Sequence, residues 1–325
     1  MWRTDVINGH LGGGYKWTKP GKYTRYVSLI GAVFQNYDYG WNNTWRGVWQ
    51  DGYFQFKNYY EFEYNIAYNP ETVSNTRTRG GPLMINPPGW QAGFWMCSDS
   101  RKPWVFSSGT YGYSRGTRNW DRGVWFEVAW KPTTNMEVSV EPNLWWNKEN
   151  AQWVDWFEDP LATSTYGRRY VFAQMDQTEF NTTIRLNWTF TPTLSLQFYG
   201  QPLISSGDYY NFKELARPES YSFHRYNGSD ITLADDEYEI DPDGPAGAAG
   251  PIYFDNPDFN YTSLRGSAVL RWEYTPGSVF YLVWTHNKFD YENNGDFRFQ
   301  RSMKRLWETD ADNIFMAKLS YWLSL

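Results

Sequence analysis

Between Phe180 and Phe190 apolar and polar residues alternate almost without a break. Phe180, Thr182, Ile184, Leu186, Trp188 and Phe190 fall on one face; Asn181, Thr183, Arg185, Asn187 and Thr189 fall on the other. A period of two is the mark of a strand with one apolar and one wet face. After the link Thr191-Pro192-Thr193, Leu194, Leu196 and Phe198 alternate with Ser195, Gln197 and Tyr199. This predicts a hairpin whose strands exceed the usual length of about 5–6 residues. Tilted strands of about 9–11 alternating residues are what a bilayer crossing needs. The expected fold class is therefore all-β, an antiparallel transmembrane β-barrel.

The pattern recurs along the chain. Strands are expected at 23–36, 43–56, 58–69, 89–99, 103–114, 121–131 and 136–148, with weaker ones at 151–158 and 169–177. After the 180–202 hairpin comes a second, 263–290, turned by Thr275-Pro276-Gly277. A last strand alternates through Phe315, Ala317, Leu319, Tyr321 and Leu323. The sum is about 14 strands, or 12–16 if 43–56 and 151–177 divide differently; single-chain bacterial barrels have even counts. Residues 1–22 are unpatterned and read as a periplasmic lead-in, leaving 23–325 as a single barrel. Short connections (SDSRK, KPTTN, TPT, TPG) fall on one side, and the long ones at 70–88, 206–262 and 291–312 fall on the other. Short periplasmic turns and long extracellular loops are the outer-membrane rule. It makes 206–262 extracellular. Its aromatics, among them Tyr209, Tyr210, Phe212, Tyr221, Phe223, Tyr253 and Phe254, predict packing over or into the barrel mouth.

Composition sharpens this picture. Aromatic residues make up 21% of the 325, including 20 Trp, and Trp and Tyr concentrate at membrane–water interfaces. The mean hydropathy of −0.70 is compatible with a barrel, in which only alternate residues face lipid. No apolar run is long enough for a transmembrane helix. The net charge of −6 gives no support to nucleic-acid binding. Cys97 stands alone, so neither an internal disulfide nor a cysteine metal cluster is expected. The start lacks the apolar core of a signal peptide, and the expectation is a piece of a longer chain that begins with other domains.

Several longer stretches carry a resemblance. TRGGPLM (78–84), SDSRKP (98–103), RRYVFAQMDQ (168–177), NWTFTPTLSLQFYGQP (187–202), SGDYYNFKELARP (206–218), 258–288 and LSYWL (319–323) resemble the C-terminal barrel region of a family of uncharacterised bacterial outer-membrane proteins. Its members often carry a carbohydrate-binding-module-like domain ahead of the barrel, which this sequence lacks. The resemblance implies an outer-membrane location and carries over no catalytic residue.

Candidate chemistry is sparse. The expected lumen-facing set is Glu61, Glu63, Glu127, Lys131, Glu137, Glu141, Arg185, Arg265, Arg271, Glu273 and Lys318. Both signs are present, which fits either a charged constriction or paired charges in a filled interior. Bulky Trp145, Tyr199 and Gln201 on the polar faces favour a filled interior. Asp241 and Asp243, in the tract ADDEYEIDPDG, are oxygen ligands of a kind suited to Ca²⁺, but the tract lacks the spacing of a helix–loop–helix calcium site and reads as a solvated acidic loop. His224 beside Ser222, and His286 near a strand end, are the histidines relevant to a hydrolase, and both read as loop and rim residues. FKELA (212–216) is compatible with a short helix or an ordered rim segment.

The expected function is a non-enzymatic outer-membrane anchor, scaffold or docking platform. Its partners are outer-membrane lipid and other envelope proteins or the missing N-terminal domain, with no cofactor. Alternatives are a channel for small polar solutes or sugars, an outer-membrane hydrolase, and a soluble or filament-forming β-protein.

Overall fold

The computed structural model describes residues 5–323 apart from residue 245. Strands come in chain order as β1 (Ile7–Trp17), β2 (Thr24–Tyr37), β3 (Asn43–Phe56), β4 (Glu61–Asn69), β5 (Thr72–Ser74) and β6 (Met84–Asn86). They continue as β7 (Gly89–Cys97), β8 (Trp104–Arg115), β9 (Asn119–Thr133), β10 (Met136–Glu158), β11 (Arg168–Thr191) and β12 (Leu194–Leu215). Then follow β13 (Phe223–Arg225), β14 (Ile231–Ala234), β15 (Glu237–Ile240), β16 (Ile252–Asp255), β17 (Phe259–Thr275) and β18 (Ser278–Glu292). Helix α1 (Phe299–Glu308) and β19 (Asp312–Ser320) complete the described elements.

One antiparallel sheet dominates, in the order β1-β2-β3-β4-β7-β8-β9-β10-β11-β12-β17-β18-β19, with β13 added beside β12. Most strands of the path pair with their sequence neighbour through a direct return, while β4–β7 and β12–β17 are joined across the longer segments 70–88 and 216–258. Among the described residues β1 and β19 have no second neighbour, so the sheet is an antiparallel array with two edges and no closed barrel is formed. Connections segregate by side. Residues 18–23, 57–60, 98–103, 134–135, 192–193 and 276–277 turn at one end; 38–42, 70–88, 116–118, 159–167, 216–258 and 293–311 lie at the other, so every connection longer than six residues falls on one side. Gly277 closes the Thr-Pro-Gly turn with φ +78, a left-handed conformation that glycine adopts without steric cost.

Four sequence readings change. Residues 7–17 are not lead-in but an edge strand, paired over their whole length with β2. Residues 151–158 and 169–177 are not separate strands but the far ends of β10 and β11, which run on together past irregularities between Glu149 and Gln152 and between Trp153 and Asp155. The loop expected at 206–262 is confined to 216–258, because β12 continues through Leu215 and β17 starts at Phe259; Tyr209, Tyr210 and Phe212 therefore lie on β12, and the FKELA stretch is not helical. The region after Glu292, read as a plain loop, contains α1. The count of fourteen thus agrees only through compensating differences.

The loop-side ends of β10, β11 and β12 extend as a tongue with a small core on each face. Val171 and Ala173 pack with Phe212, Tyr226, Ile240, Ile252 and Phe254, so the three-stranded β14-β15-β16 sheet covers one face. The alternate residues Tyr170 and Phe172 pack with Met84, Ala151 and Leu215, which places the β5-β6 hairpin on the other. The segment 216–258 is thus a packed unit built on the tongue.

Candidate functional site

Register decides which side chains share a face. Residues paired across an antiparallel ladder lie on the same side, and successive residues on one strand lie on opposite sides. Tracing the pairs Glu61↔Cys97, Ser107↔Glu127, Glu137↔Asn187, Ser139↔Arg185, Glu141↔Thr183, Gln201↔Arg265, Ser195↔Arg271, Glu273↔Val279 and Tyr281↔Lys318 brings the expected polar set to one face. Lys131 joins it through an ion pair with Glu137 at 3.8 Å. Glu127 lies within electrostatic range of Glu141, Glu137, Arg185 and Lys131, the densest charge group on this face. Arg271 pairs with Glu273 at 3.1 Å, and the Arg185 guanidinium stands 5.7 Å from the Tyr199 ring centroid. Bulky rings fill part of the same face. Trp145 lies where a Cβ on Gly123 would be, and stacks on Tyr111 with centroids 6.0 Å apart.

The opposite face is apolar across the whole path. It runs through Leu11, Val33, Val48, Ile66 and Phe94, then Phe106, Val128, Val140, Leu186, Leu196, Leu270, Leu282 and Ala317. Many of these side chains are exposed, so the face is a continuous apolar patch larger than monomeric soluble proteins usually present. Aromatic rows bound the band. Trp104, Trp130, Trp188 and Trp272 stand at the turn end; Tyr68, Trp90, Trp120 and Trp146 stand at the loop end. Rings in the rows meet locally, with Trp104 stacked on Trp130 at 5.3 Å between centroids and Tyr68 tilted against Trp90 at 4.8 Å. From Trp120 to Trp130, strand steps of about 3.3 Å span roughly 33 Å along the strand. Beyond the loop-end row this face turns polar, with Arg46, Lys148, Asp176 and Lys288; Arg122 lies within the row, between Trp120 and Val124 and paired with Trp146.

The loop side holds the other charged groups. Arg169 is buried between Asp159 (2.6 Å) and Glu214 (2.7 Å). Lys213 is 2% exposed; its ammonium donates to the Asn150 carbonyl and to Asn150 Oδ1 (3.2 Å) and lies 4.7 Å from the Phe223 ring centroid. Burial pulls its pKa down to about 8, and Arg225 acts in the same direction. A cleft of about 580 Å³ gathers Asp176, Asp208, Asp258 and Asp296. Burial raises the Asp208 and Asp258 carboxyls above the usual range, with neighbouring carboxylates adding to it. Sequence reading did not single out this cleft, because its four carboxylates come from separate segments. Among the described residues no three His, Cys, Asp or Glu side chains converge as metal ligands. Asp243 accepts backbone N–H groups from Ala248 and Ala249, and so acts as a turn former. Asp241 donates its own N–H to the Asp230 carbonyl. The histidines lie apart: His224 stands opposite Glu214 on β13, and His286 Nδ1 is 3.0 Å from Asn313 Oδ1.

The chain belongs to the DUF5916 family, whose profile, described as a domain of unknown function, matches residues 1–325. No curated protein matches the sequence.

Proposed function

We propose that the chain is the wall of a transmembrane β-barrel of the bacterial outer membrane, serving without catalysis as an anchor or docking platform. The observation that carries this reading is the predominantly apolar face that runs across thirteen strands, bounded at both ends by aromatic rows. A belt about 25 Å tall with two aromatic girdles is what a bilayer-spanning sheet presents to lipid. The segregation of short turns from long loops supports the same orientation, with the tongue and its packed loops on the cell surface. In this reading the polar face lines the interior, and its paired charges and rings leave it largely filled. The surface unit on the tongue is the docking element, for envelope proteins or for the carbohydrate-binding-module-like domain that the family resemblance places ahead of such barrels. Lipid is the partner of the outer face, and no nucleic acid is involved.

The test is thiol labelling in a Cys97→Ala background. A cysteine at Leu186 is expected to resist a water-soluble reagent in reconstituted vesicles, while one at Glu237, exposed on β15, labels readily. Ready labelling at 186 overturns the membrane reading. Leu186→Arg is expected to cost about 2–4 kcal/mol near mid-bilayer. The charge group around Glu127 favours a channel as the second reading, and planar-bilayer conductance separates it from a filled wall. Turnover of phospholipid, peptide or glycan by the purified chain, lost in His224→Ala or His286→Ala, would replace both with an enzyme.

A further inference from the structure

Helix α1 follows β18 and folds back onto the apolar-parity side of the sheet, beyond the loop-end aromatic row. Three contacts fix it there. Ser302 Oγ and Asn260 Oδ1 are 3.0 Å apart, Lys288 Nζ donates to the Trp307 carbonyl at 2.9 Å, and Phe299 meets Phe180 edge-on with centroids 5.4 Å apart. Asn260, Lys288 and Phe180 all share the face of Leu270, Leu282 and Leu186 by register. Leu306 is the residue that α1 buries most deeply.

The two flanks of the helix differ. At about 100° per residue, Arg301 and Arg305 lie on one flank of the buried Ser302–Leu306 line; Phe299, Met303 and Trp307 lie on the other. The basic flank is tied to the strand end farther from the belt, through Arg305–Asp290 at 2.7 Å and Arg305–Glu292 at 3.1 Å. The apolar flank therefore faces the belt. It is left uncovered, with Trp307 65% and Phe299 46% exposed. Lys304, with a side chain 77% exposed, points directly away from the wall. A short helix with an aromatic flank toward hydrocarbon and a long cation pointing outward is the arrangement of an interfacial helix, in which Trp sits at headgroup level and Lys snorkels.

We propose that α1 is a rim anchor seated in the bilayer surface, with Phe299, Met303 and Trp307 at the headgroup–acyl boundary and Lys304 among the headgroups. The occupant of the exposed flank is lipid, because Phe299 joins that flank to Phe180 on the apolar face of the same wall. The proposal rests on the membrane reading above, and one experiment separates the two. Single cysteines at Leu282 (belt), Trp307 (rim) and Glu237 (surface), each in a Cys97→Ala background, carry an environment-sensitive fluorophore in vesicles of phosphatidylcholine and phosphatidylglycerol. Aqueous iodide and lipids brominated at shallow or deep acyl positions are the quenchers. Expected are deep bromine quenching at 282, shallow bromine quenching with loss of iodide quenching at 307, and iodide quenching alone at 237. If 282 is shielded while 307 behaves like 237, the rim anchor is wrong and the barrel stands. If iodide reaches 282, the membrane reading fails and the anchor with it. A companion variant, Lys304→Glu, leaves the wall contacts intact and is expected to reduce shallow quenching at 307 in phosphatidylglycerol-rich vesicles. Unchanged quenching there would remove Lys304 from the proposal.

Discussion

Lys213 places a cation in a pocket of Phe172, Phe223 and the Asn150 carbonyl, where water cannot solvate it. Its folded pKa of about 8 lies below the ordinary lysine value of 10.5. Between those values the unfolded chain binds more protons, so stability rises as pH increases from about 8 to about 10.5 and is lowest below 8. Lys213→Met is expected to flatten this rise. The check is the difference in thermal midpoint between variant and wild type at pH 7.5 and pH 10.5, and an equal difference at both pH values would contradict the assignment. Arg169 presents the reverse case. It neutralises two buried carboxylates, so Arg169→Met strands both and is expected to cost about 3–5 kcal/mol. Denaturant titration with a tongue-specific probe reads this directly. A loss below about 1 kcal/mol would mean that Asp159 and Glu214 reach water on their own.

At the scale of elements, the tongue is the docking element in the proposed orientation, yet it is built like a core. Its three-stranded sheet packs Ile240, Ile252 and Phe254 against Val171, Ala173, Phe212 and Tyr226. Limited proteolysis of intact cells or vesicles is expected to leave 216–258 largely uncut, and rapid removal of this segment would refute the packed arrangement. Sequence made some of these elements plain and hid others. The alternation at 180–190 read directly as strand, because no bulge interrupts its pairing from Asn181 to Thr189 on both sides. The end of β10 did not, because the irregularities near Asn150 and Val154 change which face each residue takes. In β1 the run Gly12, Gly13, Gly14 carries no side chains to alternate, and pairing with β2 supplies what pattern could not. The signal for α1 was present in Phe299, Met303, Leu306 and Trp307 at helical spacing, but the surrounding charges read as loop. The polar set shares one face by parity alone. The Asp176–Asp208–Asp258–Asp296 cleft depends on tertiary folding that no local pattern encodes.

At the scale of the whole molecule, strand parity sets a condition on the membrane reading. Along the path of thirteen strands each neighbour is antiparallel, so β1 and β19 run in the same direction. A sheet in hydrocarbon tolerates no open edge, because each unpaired N–H and C=O would lack a partner. Joining β1 to β19 directly would require a parallel pair; an antiparallel closure requires a further strand running opposite to both. The second arrangement is expected, since single-chain bacterial barrels have even strand numbers. Hydrogen exchange tests it. In detergent, peptides covering 7–17 and 312–320 are expected to exchange far faster than those covering 136–148 and 180–191, as edges do. In a closed, bilayer-inserted assembly the same two peptides are expected to become as protected as the interior strands. Cysteine pairs scanned between Gly9–Gly13 and Phe315–Leu319 are expected not to form disulfides, because the added strand separates the two edges by about 9–10 Å. A disulfide in that scan would establish direct parallel closure, and edges that still exchange freely in vesicles would end the transmembrane reading.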